Sequence, residues 1–285
     1  MPDHVTLYEV GPRDGLQNEA RQIATADKIR LVDLLSDCGF SHIEVTSFVS
    51  PKWVPQLADA AEVMAGITRR PGVRYAALVP NLQGLERALA AGADEVAVFA
   101  SASEGFSRRN INCSIAESLD RFRPVLARAA EKAIPVRGYV SCVTDCPYDG
   151  PVAPGAVADL AAALAAMGCH RISLGDTLGA GTPETIGRML KAVLDRLPAD
   201  RLAGHYHDTR GLAVQNIATS LDLGLRVFDT SAGGLGGCPY APGAKGNVAT
   251  ETVAAFLQSQ GLATGLDPDR LAAAAGFARS LRSAP

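Results

Sequence analysis

Short apolar runs alternate with amphipathic segments along the whole chain. The runs are rich in β-branched and aromatic residues and are bounded by turn-forming residues, which is typical of buried strands. Eight of them stand at residues 5–10, 42–48, 74–79, 95–100, 136–143, 171–177, 202–208 and 227–233. Between them apolar residues recur at helical spacing, as Leu31, Leu34, Leu35 and Cys38 do. The pattern therefore predicts eight strand–helix units.

The ends of several predicted helices carry capping signals. Thr182 followed by Pro183 is typical of a helix start, because the threonine side chain accepts a backbone N–H and proline suits the first turn. Glycines stand where four helices should end, at Gly39, Gly92, Gly168 and Gly224. These signals support the segment boundaries that the apolar pattern gives.

Eight strand–helix units favour an α/β fold of the (β/α)8 TIM-barrel type. A doubly wound open sheet is the main alternative, and it usually carries G-x-G-x-x-G after its first strand. Here the first strand is followed by "EVGPRDG", which does not match that fingerprint. We therefore expect one catalytic TIM-barrel domain over residues 1–285, with residues 266–285 forming an extra C-terminal helix that packs on the barrel or on a partner subunit.

Composition narrows the classes of partner. The formal net charge is only −3, so neither a nucleic acid nor an anionic membrane is indicated as a partner. The chain has no apolar run of about eighteen residues, and it enters the first predicted strand without a basic or Arg/Ser-rich leader. Its six cysteines form no C-x-x-C pair. We therefore expect a cytoplasmic protein with reduced thiols.

Two histidines end the seventh predicted strand, in the stretch "HYHDTRG". Residues two apart in a strand point to the same side, so His205 and His207 can face the barrel mouth together. Active sites of TIM barrels lie at this carboxyl end of the strands. The alternative is a pair of buried histidines satisfied by hydrogen bonds. The same-face pair at a catalytic end favours a metal or a catalytic site.

Other polar residues stand at equivalent positions of the predicted barrel. They are Asp14 after the first strand, Glu44 in the second, Asp176 at the end of the sixth and Asn247 beyond the eighth. Carboxylate and amide oxygens favour Mg²⁺ or Mn²⁺, and imidazole also accepts Mn²⁺, Zn²⁺ or Fe²⁺. Asn247 could equally be the N-cap of the helix that follows it. Spacing alone leaves cap and ligand open.

Seven motifs in this order resemble the 3-hydroxy-3-methylglutaryl-CoA (HMG-CoA) lyase family, which belongs to the metal-dependent lyase and synthase TIM barrels. They are "EVGPRDGLQNE", "IEVTSFVSPKWVPQ", "NINCSIAES", "SCVTDCPYDG", "SLGDTLG", "HYHDTRG" and "GGLGGCPYAPGAKGNVATE". The resemblance extends from the first strand to the eighth helix. The chain departs from the family pattern at Lys245 and Arg210, which lie beside the expected site and could alter substrate fit.

The resemblance implies one divalent cation per subunit, Mg²⁺ or Mn²⁺. Its ligands would be Asp14, His205, His207 and Asn247, so the resemblance favours ligand over helix cap for Asn247. It also implies an acyl-CoA substrate and a homo-oligomer, a dimer or larger. Arg108 and Arg109 could bind the CoA phosphates, or they could be a solvated pair.

The resemblance implies cleavage of HMG-CoA to acetyl-CoA and acetoacetate, as in leucine degradation and ketone body formation. Arg13 would stabilise the enolate, and Glu44 would orient Arg13. Asp14 or His205 would take the hydroxyl proton, and Asp176 would fix a histidine tautomer or a metal-bound water. The alternatives are a lyase for a longer 3-hydroxy-3-alkylglutaryl-CoA, such as the isohexenyl compound, and an acetyl-CoA-condensing synthase.

The glycine-rich stretch around Cys238 matches neither common phosphate-binding fingerprint, G-x-x-x-x-G-K-[ST] or G-x-G-x-x-G. It could be an inert surface turn, but we expect a mobile lid that brings Cys238 over the substrate and excludes water. An unperturbed thiol is mostly protonated at neutral pH, since its pKa is about 8.5. Cys238 is therefore favoured as the acid that protonates the enolate carbon, with help in removing the hydroxyl proton as the alternative.

Overall fold

The computed structural model describes residues 3–238 and 241–282, and its centre is a closed barrel of eight parallel strands. Each strand pairs with its sequence neighbours around the barrel, and the first pairs with the eighth from Thr6 opposite Val227 to Glu9 opposite Thr230. The strands are Thr6–Glu9, His42–Ser47, Arg74–Leu78, Glu95–Ser101, Val136–Ser141, Arg171–Asp176, Leu202–Tyr206 and Val227–Thr230. The predicted (β/α)8 barrel is confirmed.

Helices surround the barrel and connect each strand to the next. They are Thr25–Ser36, Ala60–Gly66, Leu82–Ala90, Glu104–Ile111, Ile115–Glu131, Pro154–Ala166, Pro183–Leu194, Ala213–Asp222, Thr250–Ser259 and Pro268–Leu281. The predicted caps are present, because the Thr182 side chain accepts the backbone N–H of Thr185 and the four predicted glycines adopt positive φ. None of the helices among the described residues combines the length and apolar character needed to cross a bilayer.

The structure contains two features beyond the simple alternation of strands and helices that the sequence predicts. The fourth strand is followed by two helices, which Asn112 separates in a left-handed conformation. Short antiparallel pairs also lie beyond the fifth and eighth strands, where Asp145–Cys146 pairs with Gly150–Pro151 and Gly237–Cys238 pairs with Ala241–Lys245. Both hairpins follow strand ends, so they add structure at the catalytic end of the barrel.

The predicted extra helix, Pro268–Leu281, lies against the barrel of its own chain. It packs beside the first helix and against the turn Ala232–Gly234, with Leu271, Ala274 and Ala278 buried. A Cβ built on Gly233 would come within 2.8 Å of the Ala275 carbonyl oxygen, so only glycine permits this approach. The helix thereby supports the segment that follows the eighth strand.

Candidate active site

A tight turn at the end of the first strand presents Arg13 and Asp14. Residues Gly11–Gly15 form one π-helical turn, in which the carbonyl oxygen of Val10 accepts the N–H groups of Arg13, Asp14 and Gly15. A Cβ on Gly11 would lie 2.6 Å from a carboxylate oxygen of Glu9, and one on Gly15 would lie 2.6 Å from the Leu235 Cβ. The glycines therefore let this turn sit closely against neighbouring segments.

Glu9, at the end of the first strand, anchors the same turn, and no motif in the sequence indicated this role. Its buried carboxylate accepts hydrogen bonds from the backbone of Gly11 at 2.8 Å, from the backbone of Ala232 at 2.9 Å and from the Thr250 hydroxyl at 2.7 Å. Burial raises the pKa of Glu9 to about 7. The residue ties the first strand to the segments after the eighth.

Arg13 is held between two carboxylates. Its Nε donates to Glu44 Oε2 at 2.7 Å, and its Nη1 pairs with Asp14 Oδ1. The hydroxyl of Tyr139 also donates to Glu44 Oε2, at 3.0 Å, and the Tyr139 ring centroid lies 5.3 Å from the Arg13 Cζ. The predicted pairing of Glu44 with Arg13 is therefore present. These contacts fix the guanidinium beside Asp14.

The two histidines meet Asp14 at the barrel mouth. Donor atoms of Asp14, His205 and His207 all lie within 4.8 Å of one another. His205 belongs to the seventh strand, whereas His207 lies one residue beyond its end and bridges to Asn247. The imidazole centroids are 5.4 Å apart. The predicted same-side arrangement is confirmed, although only one of the pair is in the strand itself.

Asn247 joins this group and is not a helix cap. The next helix begins at Thr250, and its N-cap position is Ala249. The Asn247 Nδ2 donates instead to Asp14 Oδ2 at 2.8 Å. The Asn247 side chain therefore lies directly against the Asp14 carboxylate, and its amide carries an oxygen that can act as a ligand.

The donor set fits a divalent cation. It combines a carboxylate, an amide and two imidazoles, a mixed oxygen and nitrogen set of the kind that binds divalent cations. The Nδ1 of His207 is buried and has no hydrogen-bond partner among the described residues. An unpaired buried nitrogen is costly, and coordination would satisfy it.

The cluster keeps Asp14 and His207 in their ligating states, whereas burial is outweighed at His205, where the hydrogen bond and charge of Asp229 raise the pKa. Burial opposes ionisation of Asp14, but Arg13 and the two histidines hold the pKa of its carboxyl well below the usual range. Burial and the neighbouring His205 lower the pKa of His207 to about 4. At neutral pH the carboxyl is therefore ionised and the His207 ring is neutral, as metal coordination requires.

Asp229 on the eighth strand orients His205. Its Oδ2 lies 3.2 Å from the Nδ1 of His205 and accepts the hydroxyl of Ser173 at 2.7 Å, while its Oδ1 pairs with Arg137. Burial opposes ionisation of Asp229, but Arg137 and His205 outweigh burial and hold the pKa of the carboxyl below its usual value. An ionised carboxylate only accepts hydrogen bonds, so Nδ1 carries the proton and Nε2 is the basic nitrogen.

Asp176 is buried at the end of the sixth strand but contacts neither histidine among the described residues. Its carboxylate accepts from the Thr144 hydroxyl at 3.2 Å and from the backbone of Ala180 at 3.2 Å and of Gly181 at 2.9 Å. The prediction that Asp176 fixes a histidine tautomer is wrong, because Asp229 occupies that position. Asp176 instead holds the loop that follows its own strand, and a contact to a metal-bound water stays a prediction.

The sequence did not lead to Asp229, Arg137 or Tyr139, although it carries a signal for the first two. Arg137 and Asp229 are charged residues inside otherwise apolar strands, and both are buried. Buried charges are rare unless they are paired, so one cation and one anion in two such strands indicate an ion pair. Which strands face each other is set by barrel closure, and the sequence pattern alone does not give it.

The remaining predicted residues lie at the same end of the barrel or outside the described side chains. Arg108 and Arg109 are exposed on the helix Glu104–Ile111, where the Arg109 Cζ lies 5.3 Å from the Tyr148 ring centroid. The backbone of Cys238 pairs with that of Ala241. The side chains of residues 237–245, which include Cys238 and Lys245, lie outside the described part of the structure, and so do residues 239–240 as a whole. The mobile lid and the role of Cys238 therefore stay predictions.

Curated relatives match the chain over nearly its whole length. A family model described as HMGL-like matches residues 4–277. A Pseudomonas aeruginosa protein named 3-hydroxy-3-isohexenylglutaryl-CoA/hydroxy-methylglutaryl-CoA lyase is 60% identical over 94% of this chain and 89% of its own. A Rattus norvegicus protein named 3-hydroxy-3-methylglutaryl-CoA lyase, cytoplasmic, is 54% identical over 97% of this chain and 81% of its own.

Solved structures agree with the sequence comparisons. The crystal structure of an HMG-CoA lyase from Brucella melitensis is 62% identical, with a TM-score of 0.98 over 98% of this chain and 99% of that chain. An HMG-CoA lyase from Acinetobacter baumannii, in complex with coenzyme A and 3-methylmalate, is 38% identical with a TM-score of 0.93, over 98% and 91% of the two chains. The chain therefore belongs to the HMGL-like family, among the HMG-CoA lyases.

Proposed function

We propose that this chain, as a single catalytic domain, cleaves HMG-CoA to acetyl-CoA and acetoacetate. The observation that carries the proposal is the convergence of Arg13 with the cluster of Asp14, His205 and His207 at the carboxyl end of the barrel. A retro-Claisen cleavage needs a base for the C3 hydroxyl, a stabiliser for the enolate and an acid for the enolate carbon. A condensing synthase is not favoured, because near-full-length relatives at 52–62% identity are named as lyases.

The metal ligands in this proposal are Asp14, His205, His207 and Asn247. A bound Mg²⁺ or Mn²⁺, one per subunit, would supply Lewis acidity toward the C3 hydroxyl and a substrate carboxylate. Asp14 is shared between Arg13 and Asn247, so its carboxylate is fixed in orientation before any substrate arrives. Asp229 does the same for the ring of His205.

Arg13 is the enolate stabiliser in this proposal. Its guanidinium is fixed by Glu44 and lies beside Asp14, so a thioester oxygen placed next to the cluster would meet a preorganised cation. Because Glu44 and Tyr139 hold Arg13 from the barrel interior, little reorganisation is needed when negative charge develops. Glu44 is thus a positioning residue for Arg13.

The hydroxyl proton has two acceptors within the cluster. The Nε2 of His205 is its basic nitrogen and lies 3.9 Å from Asp14 Oδ2. Asp229 would stabilise the ring after protonation, because its carboxylate already faces Nδ1. Asp14 is a weaker base, since Arg13 and the histidines lower its pKa. With Nδ1 protonated, Nε2 is the single lone pair of His205, so it would receive the hydroxyl proton only when it is not bound to the cation; when His205 is bound to the cation, Asp14 is the acceptor.

Cys238 is the proposed acid for the enolate carbon, and Cys238→Ser tests this role. A serine hydroxyl is far less acidic than a thiol, so kcat should fall by about a hundredfold or more. Metal affinity should stay unchanged, because no proposed ligand is altered. Steady-state kinetics with a parallel Mn²⁺ titration check both parts, and Cys169→Ser, at a buried cysteine two residues before the sixth strand, is the matched control. Turnover near the wild-type rate would remove Cys238 from the chemistry.

Several further assignments belong to the same proposal. Arg108 and Arg109 are exposed near the barrel mouth, and we infer that they meet the CoA phosphates. We also propose that the protein forms a dimer or larger homo-oligomer, lies in the cytoplasm, and acts in leucine degradation and ketone body formation. Relatives named cytoplasmic and mitochondrial both match this chain closely, at 54% identity each for the rat and chicken proteins.

Acetoacetate release from HMG-CoA tests the proposed reaction directly. The purified chain with Mg²⁺ or Mn²⁺ should form acetoacetate and acetyl-CoA in equal amounts. Removal of the cation with a chelator should abolish turnover, and adding Mn²⁺ back should restore it. A folded protein that binds Mn²⁺ yet forms no acetoacetate would contradict the assignment.

A longer substrate is the second candidate. The Pseudomonas aeruginosa relative, 60% identical, carries a name with both the isohexenylglutaryl and the methylglutaryl compound. The same assay with 3-hydroxy-3-isohexenylglutaryl-CoA compares kcat/KM for the two acyl chains. A higher value for the longer chain would move the physiological assignment to that compound, with the site chemistry unchanged.

A further inference from the structure

A polar cavity opens at the amino end of the barrel, opposite the proposed active site. It has a volume of about 310 Å³, which is enough for a small molecule. The first or second residues of seven strands line it, among them His42, Arg74, Glu95, Arg137 and Arg171. In TIM barrels this end contributes mainly to stability, so a cavity rich in charged groups is unexpected here.

Positive charge dominates the cavity. Arg74 and Arg171 have no ion pair with a described carboxylate, and Arg137 reaches the cavity from the barrel core. Burial and the nearby Arg137 lower the pKa of Arg171, as expected where cations are crowded together. Burial lowers the pKa of His42 to about 4, so that histidine is neutral and adds no charge. Three arginines thus line the cavity; Asp229 already pairs with Arg137 and Glu95 is the carboxylate in the lining, so Arg74 and Arg171 leave the net charge positive.

Buried polar atoms with no partner line the same cavity. Arg137 is fully buried, and its Nε and Nη1 have no hydrogen-bond partner among the described residues. The same holds for Glu95 Oε2, although Glu95 Oε1 accepts the Tyr8 hydroxyl at 3.2 Å. Burial opposes ionisation of Glu95, but His170 and Arg137 outweigh it and lower its pKa. These atoms are enclosed in the cavity wall, with the Arg137 Cζ 4.0 Å from the Tyr8 ring centroid and Glu95 Oε2 3.8 Å from His42 Nε2, so a bound molecule would supply the hydrogen-bond partners that they lack.

We propose that this cavity binds a small oxyanion that also carries a hydrogen-bond donor, with phosphate as the simplest example. The guanidinium groups of Arg74, Arg137 and Arg171 would hold the anionic oxygens. The ionised Glu95 carboxylate accepts but cannot donate, so it would take the O–H of a protonated phosphate. It would repel sulfate, which has no proton to give at neutral pH. The Glu95 carboxylate would therefore make the cavity bind phosphate more tightly than sulfate.

Calorimetric titration of the Mg²⁺-loaded protein with inorganic phosphate, and separately with sulfate, tests the site. Phosphate should bind, and sulfate should bind at least about tenfold more weakly. Arg74→Gln should weaken phosphate binding by about tenfold. Arg74 is exposed, so this variant should fold normally. Arg196→Gln, which alters an exposed arginine that does not line the cavity, is the matched control and should bind as the wild type does.

Phosphate could also bind at the metal cluster, but that cluster lies at the other end of the barrel. Binding there would be equal in the wild type, Arg74→Gln and Arg171→Gln. An unchanged phosphate affinity in both variants therefore overturns the cavity site, whatever the affinity itself. Equal binding of sulfate and phosphate overturns the assigned role of Glu95 and with it the phosphate selectivity. These outcomes are independent of acetoacetate formation.

Discussion

Replacing Arg13 with glutamine should lower kcat for HMG-CoA cleavage by about a hundred- to a thousandfold, which is the typical effect of losing one preorganised donor from such a site. Arg13 lies beside Asp14 and is fixed by Glu44 and Tyr139, so its charge is available where the enolate would form. Metal affinity should be retained or slightly higher, because a cation next to Asp14 is lost. Steady-state kinetics and Mn²⁺ titration of the same preparation measure both quantities.

A second variant separates the lost guanidinium from damage to the fold. In Arg13→Gln the buried carboxyl of Glu44 loses its cation, and burial already raises the pKa of Glu44 with that cation present. The double variant Arg13→Gln with Glu44→Gln removes this stranded acid. If the fall in kcat comes from the missing enolate stabiliser, the double variant should be as slow as the single one. Recovery of turnover in the double variant would show that Arg13 acts only by neutralising Glu44.

Much of the barrel follows from local patterns in the sequence. Parallel barrel strands are buried on both faces, so each appears as a short apolar run, and a cap such as Thr182–Pro183 marks where a helix begins. The additional hairpin Asp145–Cys146 with Gly150–Pro151 was not predicted, because two-residue strands have no readable period. The paired helices after the fourth strand were missed for a similar reason, since the break rests on the conformation of the single residue Asn112.

Some features of the candidate site depend on local sequence and could be predicted, whereas others depend on contacts between residues far apart in the chain. Alternation along a strand is local, so the shared side of His205 and His207 could be predicted. The partner of His205 could not, because Asp229 lies on the neighbouring strand and meets it only through the register of the two strands, with Asp229 opposite His205. Asp176 was predicted to belong to the site because it ends a strand, but its carboxylate accepts hydrogen bonds from the loop that follows that strand. The sequence alone did not exclude Asn247 as a helix cap, whereas the observed helix start at Thr250 does.

Asp229→Asn should have two large and separable effects. Asp229 pairs with the fully buried Arg137, so the variant leaves a cation unpaired in the barrel core and should lower the free energy of unfolding by about 3–5 kcal/mol. Asp229 also fixes the ring of His205, and loss of such a support should weaken Mn²⁺ binding by about 10- to 100-fold. Urea unfolding without added metal and Mn²⁺ titration measure the two effects independently.

The double variant Asp229→Asn with Arg137→Met tests whether stability and metal affinity have different causes. Removing both members of a buried ion pair often restores stability, because no uncompensated charge remains. The unfolding free energy should therefore recover much of its loss, whereas Mn²⁺ affinity should stay low because His205 still lacks its carboxylate. Ser173→Ala removes one hydrogen-bond donor to the Asp229 carboxylate but leaves its charge, so it should lower the free energy of unfolding by about 1.5–3 kcal/mol and change Mn²⁺ affinity little. If metal affinity recovers together with stability, Asp229 supports the barrel core but does not orient His205.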